Sequence, residues 1–209
     1  MKRLLTTLAA LLFGAAGSGT AQEGTLTVRP HLGVFTPGLP LVAIADGYNP
    51  HVQLGGAPAV GLELEYQFRP LFAFYGGVTS VFTRLYHSGV MELRDVDAPH
   101  SSRATLLSPV AGLLVTPQVG TLAIQPTVRV GFGTKLYYFD LHDVNSPVAD
   151  LTADIGFGFA AGSGPVRLLA EVRWMPSRFD ARYLPIRTIG NQSQTQNDWA
   201  FQMGFRFRP

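Results

Sequence analysis

Cysteine is absent, so the chain has no disulfide framework and no thiolate nucleophile or metal ligand. Charge is scarce as well. Asp, Glu, Lys and Arg make up 14% of the 209 residues, against about 25% in an ordinary soluble domain, which is too little to coat a typical water-facing surface. The formal charge of +2 comes without a dense Lys/Arg run, which argues against nucleic acid as a partner. Beyond the first residues no segment is long and continuously apolar, so any membrane crossing has to use strands. What the chain has in quantity is punctuation: 23 Gly and 15 Pro divide it into short elements and exclude a helix-rich fold.

The exception is the N-terminus. Met1-Lys2-Arg3 is basic, Leu4 to Ala16 is an apolar run, and Gly19-Thr20-Ala21 supplies the small residues of a cleavage site. The run is shorter than the roughly 20 residues a membrane helix needs. Residues 1–21 are therefore expected to be an export signal, with a single domain over residues 22–209.

That domain is organised around its end. From Trp199 to Phe207 every odd position, Trp199, Phe201, Met203, Phe205 and Phe207, is large and apolar, while Ala200, Gln202, Gly204 and Arg206 lie between them. A period of two makes this a strand with one greasy face. The pattern recurs about eight times. Even positions are apolar from Leu26 to Val34. Val60, Leu62, Leu64, Tyr66 and Phe68 oppose Glu63, Glu65 and Gln67, and Phe72, Phe74, Val78 and Phe82 share a third face. The fourth strand, Thr105 to Thr116, is blurred by the runs Leu106-Leu107 and Leu113-Leu114-Val115. Leu122, Ile124, Val128, Val130 and Phe132 mark the fifth, Leu151 to Phe159 the sixth and Val166 to Trp174 the seventh.

Tight turns follow strands two, four and six. Segments of roughly 20 residues follow one, three and seven, and a shorter one spans Asp140 to Asp150; loops this long are uncommon in a domain unless functional. Tyr66, Phe68, Phe72, Phe74, Phe205 and Phe207 sit at the turn ends, and Phe82, Tyr86, Tyr137, Tyr138, Trp174 and Trp199 at the loop ends, as two aromatic girdles. A soluble lipocalin-like barrel also alternates, but its outer face would carry many Lys, Glu and Asp. Here the polar face is mostly Gly, Ala, Thr and Ser, suited to a narrow filled interior. The expected fold is an all-β, antiparallel up-and-down transmembrane barrel of the bacterial outer membrane, apolar face outward, with short periplasmic turns and long extracellular loops. Leu64, Val128, Phe157 and Phe201 are expected near mid-bilayer.

The export signal, the amphipathic strands, the turn and loop asymmetry and the aromatic last strand together resemble the small outer-membrane barrels of the OmpA/OmpX type. The resemblance is architectural and spans the mature chain. It implies insertion by the barrel-assembly machinery, with Trp199, Phe201, Met203, Phe205 and Phe207 as the strand that machinery reads. The chain departs from the pattern by ending Phe207-Arg208-Pro209, and a wall-anchoring role is not expected of it.

Chemical motifs are weak. Gly131-Phe132-Gly133 and Gly156-Phe157-Gly158 look like parts of a nucleotide fingerprint but lie inside alternating strands. His31, His51, His87, His100 and His142 lack the spacing of a metal site, and Asn191-Gln192-Ser193 matches a glycosylation acceptor only formally. A lipid hydrolase would need a Ser/His/acid set, for which His100 with Ser101 or Ser102 is the candidate, in a polar loop with no strand to hold it. No enzyme activity, cofactor or metal is expected.

The polar face carries the constellation of interest, Arg29, Arg129, Lys135, Arg167, Arg173 and Arg206 against Glu63, Glu65, Asp154 and Glu171. Eight strands leave room for side chains or one small ligand, so these charges are expected to pair and plug the lumen. With Ser163-Gly164 as a hairpin tip, Asp154 should oppose Arg173 and Gly156 should oppose Glu171; with strands one and two level at the rim, Arg29 should oppose Glu65 and His31 should oppose Glu63. The expected role is structural or surface-interacting, in a monomer whose partners are outer-membrane lipids, the assembly machinery and a surface ligand at the loops. A small porin-like pore or a carrier for ionic or apolar solutes is the alternative, and a lipid-modifying hydrolase a further one.

Overall fold

The computed structural model describes residues 24–43, 51–69, 71–87, 101–117, 124–140, 147–162, 166–180, 184 and 193–207. The expected export signal, His100, His142, Asn191 and Gln192 lie outside these residues. The alternating segments form strands β1 (Thr25–Thr36), β2 (Val42–Ala43), β3 (His51–Leu54), β4 (Ala57–Arg69), β5 (Phe72–His87), β6 (Ser101–Val115), β7 (Ile124–Phe139), β8 (Val148–Ala161), β9 (Val166–Asp180) and β10 (Ser193–Phe207). All pairings are antiparallel. The sheet runs β2-β3-β5-β4-β1-β10-β9-β8-β7-β6 and closes on itself through β5–β6. Eight long strands make the barrel wall, while β2 and β3 are a short extension at the loop end, joined to β5 through Leu54↔Leu85.

The greasy faces point outward. Leu32, Val60, Phe74, Val130, Phe157, Phe201 and their neighbours are exposed, whereas Arg29, Glu63, Asp154 and Arg173 are buried inside. Closure satisfies the backbone of every wall strand without leaving an edge, which is the condition for putting strands into lipid.

Strands of 12 to 16 residues are longer than the sequence pattern predicts, and longer than the 9–11 residues that cross a bilayer. Their upper parts escape the sequence reading because the pattern inverts there. Val81, Leu85, Tyr137, Phe139, Met175 and Phe179 turn inward and are buried, while Arg84, Arg103, Asp140 and Arg178 turn outward and are exposed. Apolar-out becomes apolar-in. The blurred alternation of β6 has a related cause: its inner face carries Leu106 in the upper apolar cluster and Val110 and Leu114 in a smaller one with Ala73 and Tyr75, so both of its faces are apolar.

Two expected registers are corrected. Arg173 lies opposite Gly156, and Glu171 opposite Gly158; Arg29 lies opposite Glu63, and His31 opposite Gly61. Each slip is of two residues, so every side chain keeps its face. The expected tip residues Ser163 and Gly164 lie outside the described residues, and Gly162 at the end of β8 takes the left-handed conformation, with φ of 117°. In the β1–β4 pair the His31 ring occupies the space over Gly61, where a Cβ would come within 2.3 Å of Nε2.

Candidate functional site: the charged lumen

Six strands supply the charges of the lumen, each through an inward position of its alternation. Arg29 of β1 contacts three carboxylates: its Nη1 lies 3.0 Å from Glu63 Oε1 and 3.1 Å from Glu65 Oε1, and its Nη2 lies 3.0 Å from Glu171 Oε1. Arg129 of β7 also contacts three, Glu63 at 2.7 Å, Glu171 at 2.8 Å and Asp154 at 3.1 Å. Arg173 of β9 reaches Asp154 through Nε at 2.8 Å, and Nη1 donates to Thr79 and Gln202, each at 3.3 Å. Arg206 extends the chain of pairs toward the turn end by meeting Glu65 at 2.8 Å. Four arginines thus face four carboxylates. All eight side chains are under a tenth exposed, and the shared contacts tie β1, β4, β7, β8, β9 and β10 together across the bore.

Tyr75 and the lumen glycines complete the packing. The Tyr75 hydroxyl donates to Asp154 Oδ2 at 2.8 Å, and the Arg129 guanidinium sits 3.9 Å from the centre of its ring, a stacked cation–π contact. A Cβ on Gly131 would come within 2.3 Å of the Tyr75 hydroxyl, and one on Gly156 within 2.7 Å of the Arg129 side chain. The two glycine pairs that resemble a nucleotide fingerprint therefore lie inside β7 and β8, where Gly131 and Gly156 clear large lumen side chains and Gly133 and Gly158 lie against the Pro109 and Ala170 carbonyls of the neighbouring strands.

Of the lumen residues read from the sequence, Arg29, Glu63, Glu65, Arg129, Asp154, Glu171, Arg173 and Arg206 come together. Lys135 does not join them. It lies nearer the loop end, opposite Asp150, and its Nζ donates to Asp198 at 2.7 Å, Ser177 at 3.0 Å and the Met175 carbonyl at 2.6 Å. Arg167 donates to Gln125 beside a turn-end cavity of about 110 Å³ that Arg206 also lines. Tyr75 and Asp198 are lumen positions that the sequence pattern did not mark. Extending the alternation inward of Phe74, and upward past Trp199, would have found both.

Above the charged layer the bore is filled by the apolar cluster of Phe35, Leu85, Leu106, Tyr137, Phe179 and their neighbours. His31 donates or accepts through Nε2 with Thr79 Oγ1 at 3.1 Å and is buried. Among the described residues no group of three His, Asp or Glu side chains could hold a metal ion. The hydroxyl of Ser101 accepts a hydrogen bond from Arg84, and Ser102 belongs to the opposite face of β6, so the two do not share a site.

Outside, the aromatic bands are laid out as girdles. Trp174 and Trp199 are directly opposed and stack at 6.3 Å near the loop end, and Phe68 and Phe74 stack at 4.5 Å near the turn end. Between them lies an apolar exterior, with Phe132 74% and Leu151 82% exposed. Comparison with solved structures gives the same architecture. The chain is similar to the outer membrane protein OprG from Pseudomonas aeruginosa, with a TM-score of 0.62 at 13% identity over 90% of this chain and 97% of that one. The fold is that of a small bacterial outer-membrane β-barrel. Neisserial surface protein A gives 0.55 at 13% identity over 91% of this chain and all of that one, and AlkL, solved in DMPC bilayers, gives 0.53 at 15% identity over 93% and 94%. No protein-family model matches the sequence, and no curated protein matches it.

Proposed function

We propose that the protein is a monomeric integral outer-membrane barrel with a structural or surface-interacting role and a closed lumen. The observation that carries this reading is the double closure of the bore, a charged layer in which each of four arginines meets a carboxylate beneath a packed apolar one. An eight-stranded barrel has space for such a filling and for little else. Function then falls to the exterior and to the loop end, where connecting segments on a rigid scaffold commonly carry binding. The test of the placement is fractionation of cells with electrophoresis of heated and unheated samples. The protein should follow the outer membrane and shift on heating, and recovery in the soluble periplasmic fraction would refute the reading.

The last strand supports the barrel-assembly machinery as a partner, because Trp199, Phe201, Met203, Phe205 and Phe207 form an unbroken outward apolar row, aromatic at every position but Met203, each 42–53% exposed. Replacing Phe205 and Phe207 by Ser should slow insertion into vesicles containing that machinery and leave insertion into bare vesicles much less affected.

A second reading, carriage of an apolar solute, is favoured by the apolar filling of the upper bore. It requires saturable binding of an apolar fluorophore to the folded barrel that Leu85→Arg abolishes. Lipid hydrolysis has no assembled Ser/His/acid set among the described residues behind it, and incubation of the purified protein with phospholipid should leave the lipid unchanged.

A further inference from the structure

Arg84 and Arg103 are directly opposed on β5 and β6. Both point to the outer face and are exposed. Like charges facing each other across an antiparallel pair are destabilising unless something of opposite charge lies between them. Within the barrel they have little to offset this. Arg84 Nη1 donates to Ser101 Oγ at 3.3 Å, its other strand neighbour is Gly55, whose N–H donates to the Arg84 carbonyl at 2.8 Å, and no carboxylate pairs with either guanidinium among the described residues. Asp140 stands on the far side of Arg103, its N–H donating to the Arg103 carbonyl at 3.0 Å. Its side chain is exposed on the outer face, so among the described residues the two arginines have one acidic neighbour.

The depth of the pair identifies what would meet it. On the same face of β5 Arg84 lies between Phe82, 62% exposed, and Tyr86, 43% exposed, so it sits inside the upper aromatic band, where lipid headgroups begin. At the same height the inner face turns apolar, with Val81 and Leu85 buried, which marks the end of the lipid-facing pattern. Two guanidinium groups at that level present planar forks suited to bidentate contact with phosphate oxygens, and Phe82 below them offers an apolar surface to an acyl chain.

We infer that Arg84 and Arg103 form a binding site for the phosphate group of an outer-leaflet lipid, with the acyl chain of that lipid running down past Phe82. The inference rests on the reading that the exterior meets lipid, with the loop end outermost.

The test uses the full barrel in nanodiscs that contain an acylated glucosamine lipid in either its phosphorylated or its dephosphorylated form, with the lipid retained after release measured by native mass spectrometry. The protein should retain the phosphorylated form several-fold more than the dephosphorylated one. Arg84→Gln/Arg103→Gln should lose that preference, and Arg69→Gln, an exposed arginine at the turn end, should keep it. The single variants, at exposed positions, give the same readout if the double variant lacks a heat-dependent mobility shift. Equal retention of both lipid forms by the unaltered protein, an unchanged preference in the double variant, or an equal loss in Arg69→Gln would overturn the site. Displacement of the lipid by inorganic phosphate alone would overturn the lipid as its occupant. Failure of the unaltered barrel to enter nanodiscs would instead refute the membrane reading.

Discussion

Arg173 stands directly opposite Gly156 on the neighbouring strand, yet its Nε meets Asp154 Oδ1, two residues away, at 2.8 Å. The pair is diagonal. A long side chain can span that offset across an antiparallel sheet, and the missing side chain of Gly156 leaves the space that the Arg129 stem occupies. Because both charges are fully buried, their worth lies less in net attraction than in the cost of leaving one of them alone.

The first prediction follows from that asymmetry. Asp154→Ala and Arg173→Ala should each destabilise the barrel by about 3–5 kcal/mol, and the double variant by clearly less than the two together. Urea titrations of protein folded into lipid vesicles would measure the cycle. Strict additivity would mean that the pair contributes nothing as a pair.

A second prediction concerns the glycines of the bore. Gly131→Val should push the Tyr75 hydroxyl away from Asp154, since a Cβ alone would lie 2.3 Å from it, at a cost of about 1–3 kcal/mol. Gly162→Val should also destabilise, through its backbone conformation and not through crowding. A crystal structure or amide exchange of the Gly131 variant would show whether β5 and β7 are disturbed. An unchanged urea midpoint for Gly131→Val would contradict the packing described here.

The exterior gives a third. Phe157→Arg and Leu64→Arg, on the lipid face away from both aromatic bands, should cost roughly 2–4 kcal/mol, whereas Trp174→Arg in the upper band should cost much less. The same urea titrations read this out, and equal costs at the three positions would mean that the depth assignment is wrong.

Much of this architecture is legible in the chain because a half-buried strand has only one period. Leu62-Glu63-Leu64-Glu65 or Phe157-Gly158-Phe159 states which residue faces which side without any knowledge of the partner strand. The charged layer follows from that reading, since Arg29, Glu63, Asp154 and Arg173 occupy inward positions of their strands. Register is less legible. A slip of two residues preserves every face, so the alternation cannot distinguish Arg173 opposite Asp154 from Arg173 opposite Gly156, and the choice is made by clearances such as His31 over Gly61. The upper strand segments were hidden for another reason. At Met175, Arg178 and Phe179 the solvent outside changes from lipid to water and the pattern reverses, so an apolar-outward template stops at Trp174 while the strand continues to Asp180.

The most direct test of the closed lumen is electrical. Purified barrel inserted in a planar bilayer should show no steady conductance, because the ion pairs around Arg29, Arg129 and Arg173 and the apolar cluster above them occupy the bore. Reproducible single-channel steps that disappear or change size in Arg129→Ala or Glu63→Ala would show that the charged layer is an ion path, and would contradict the account.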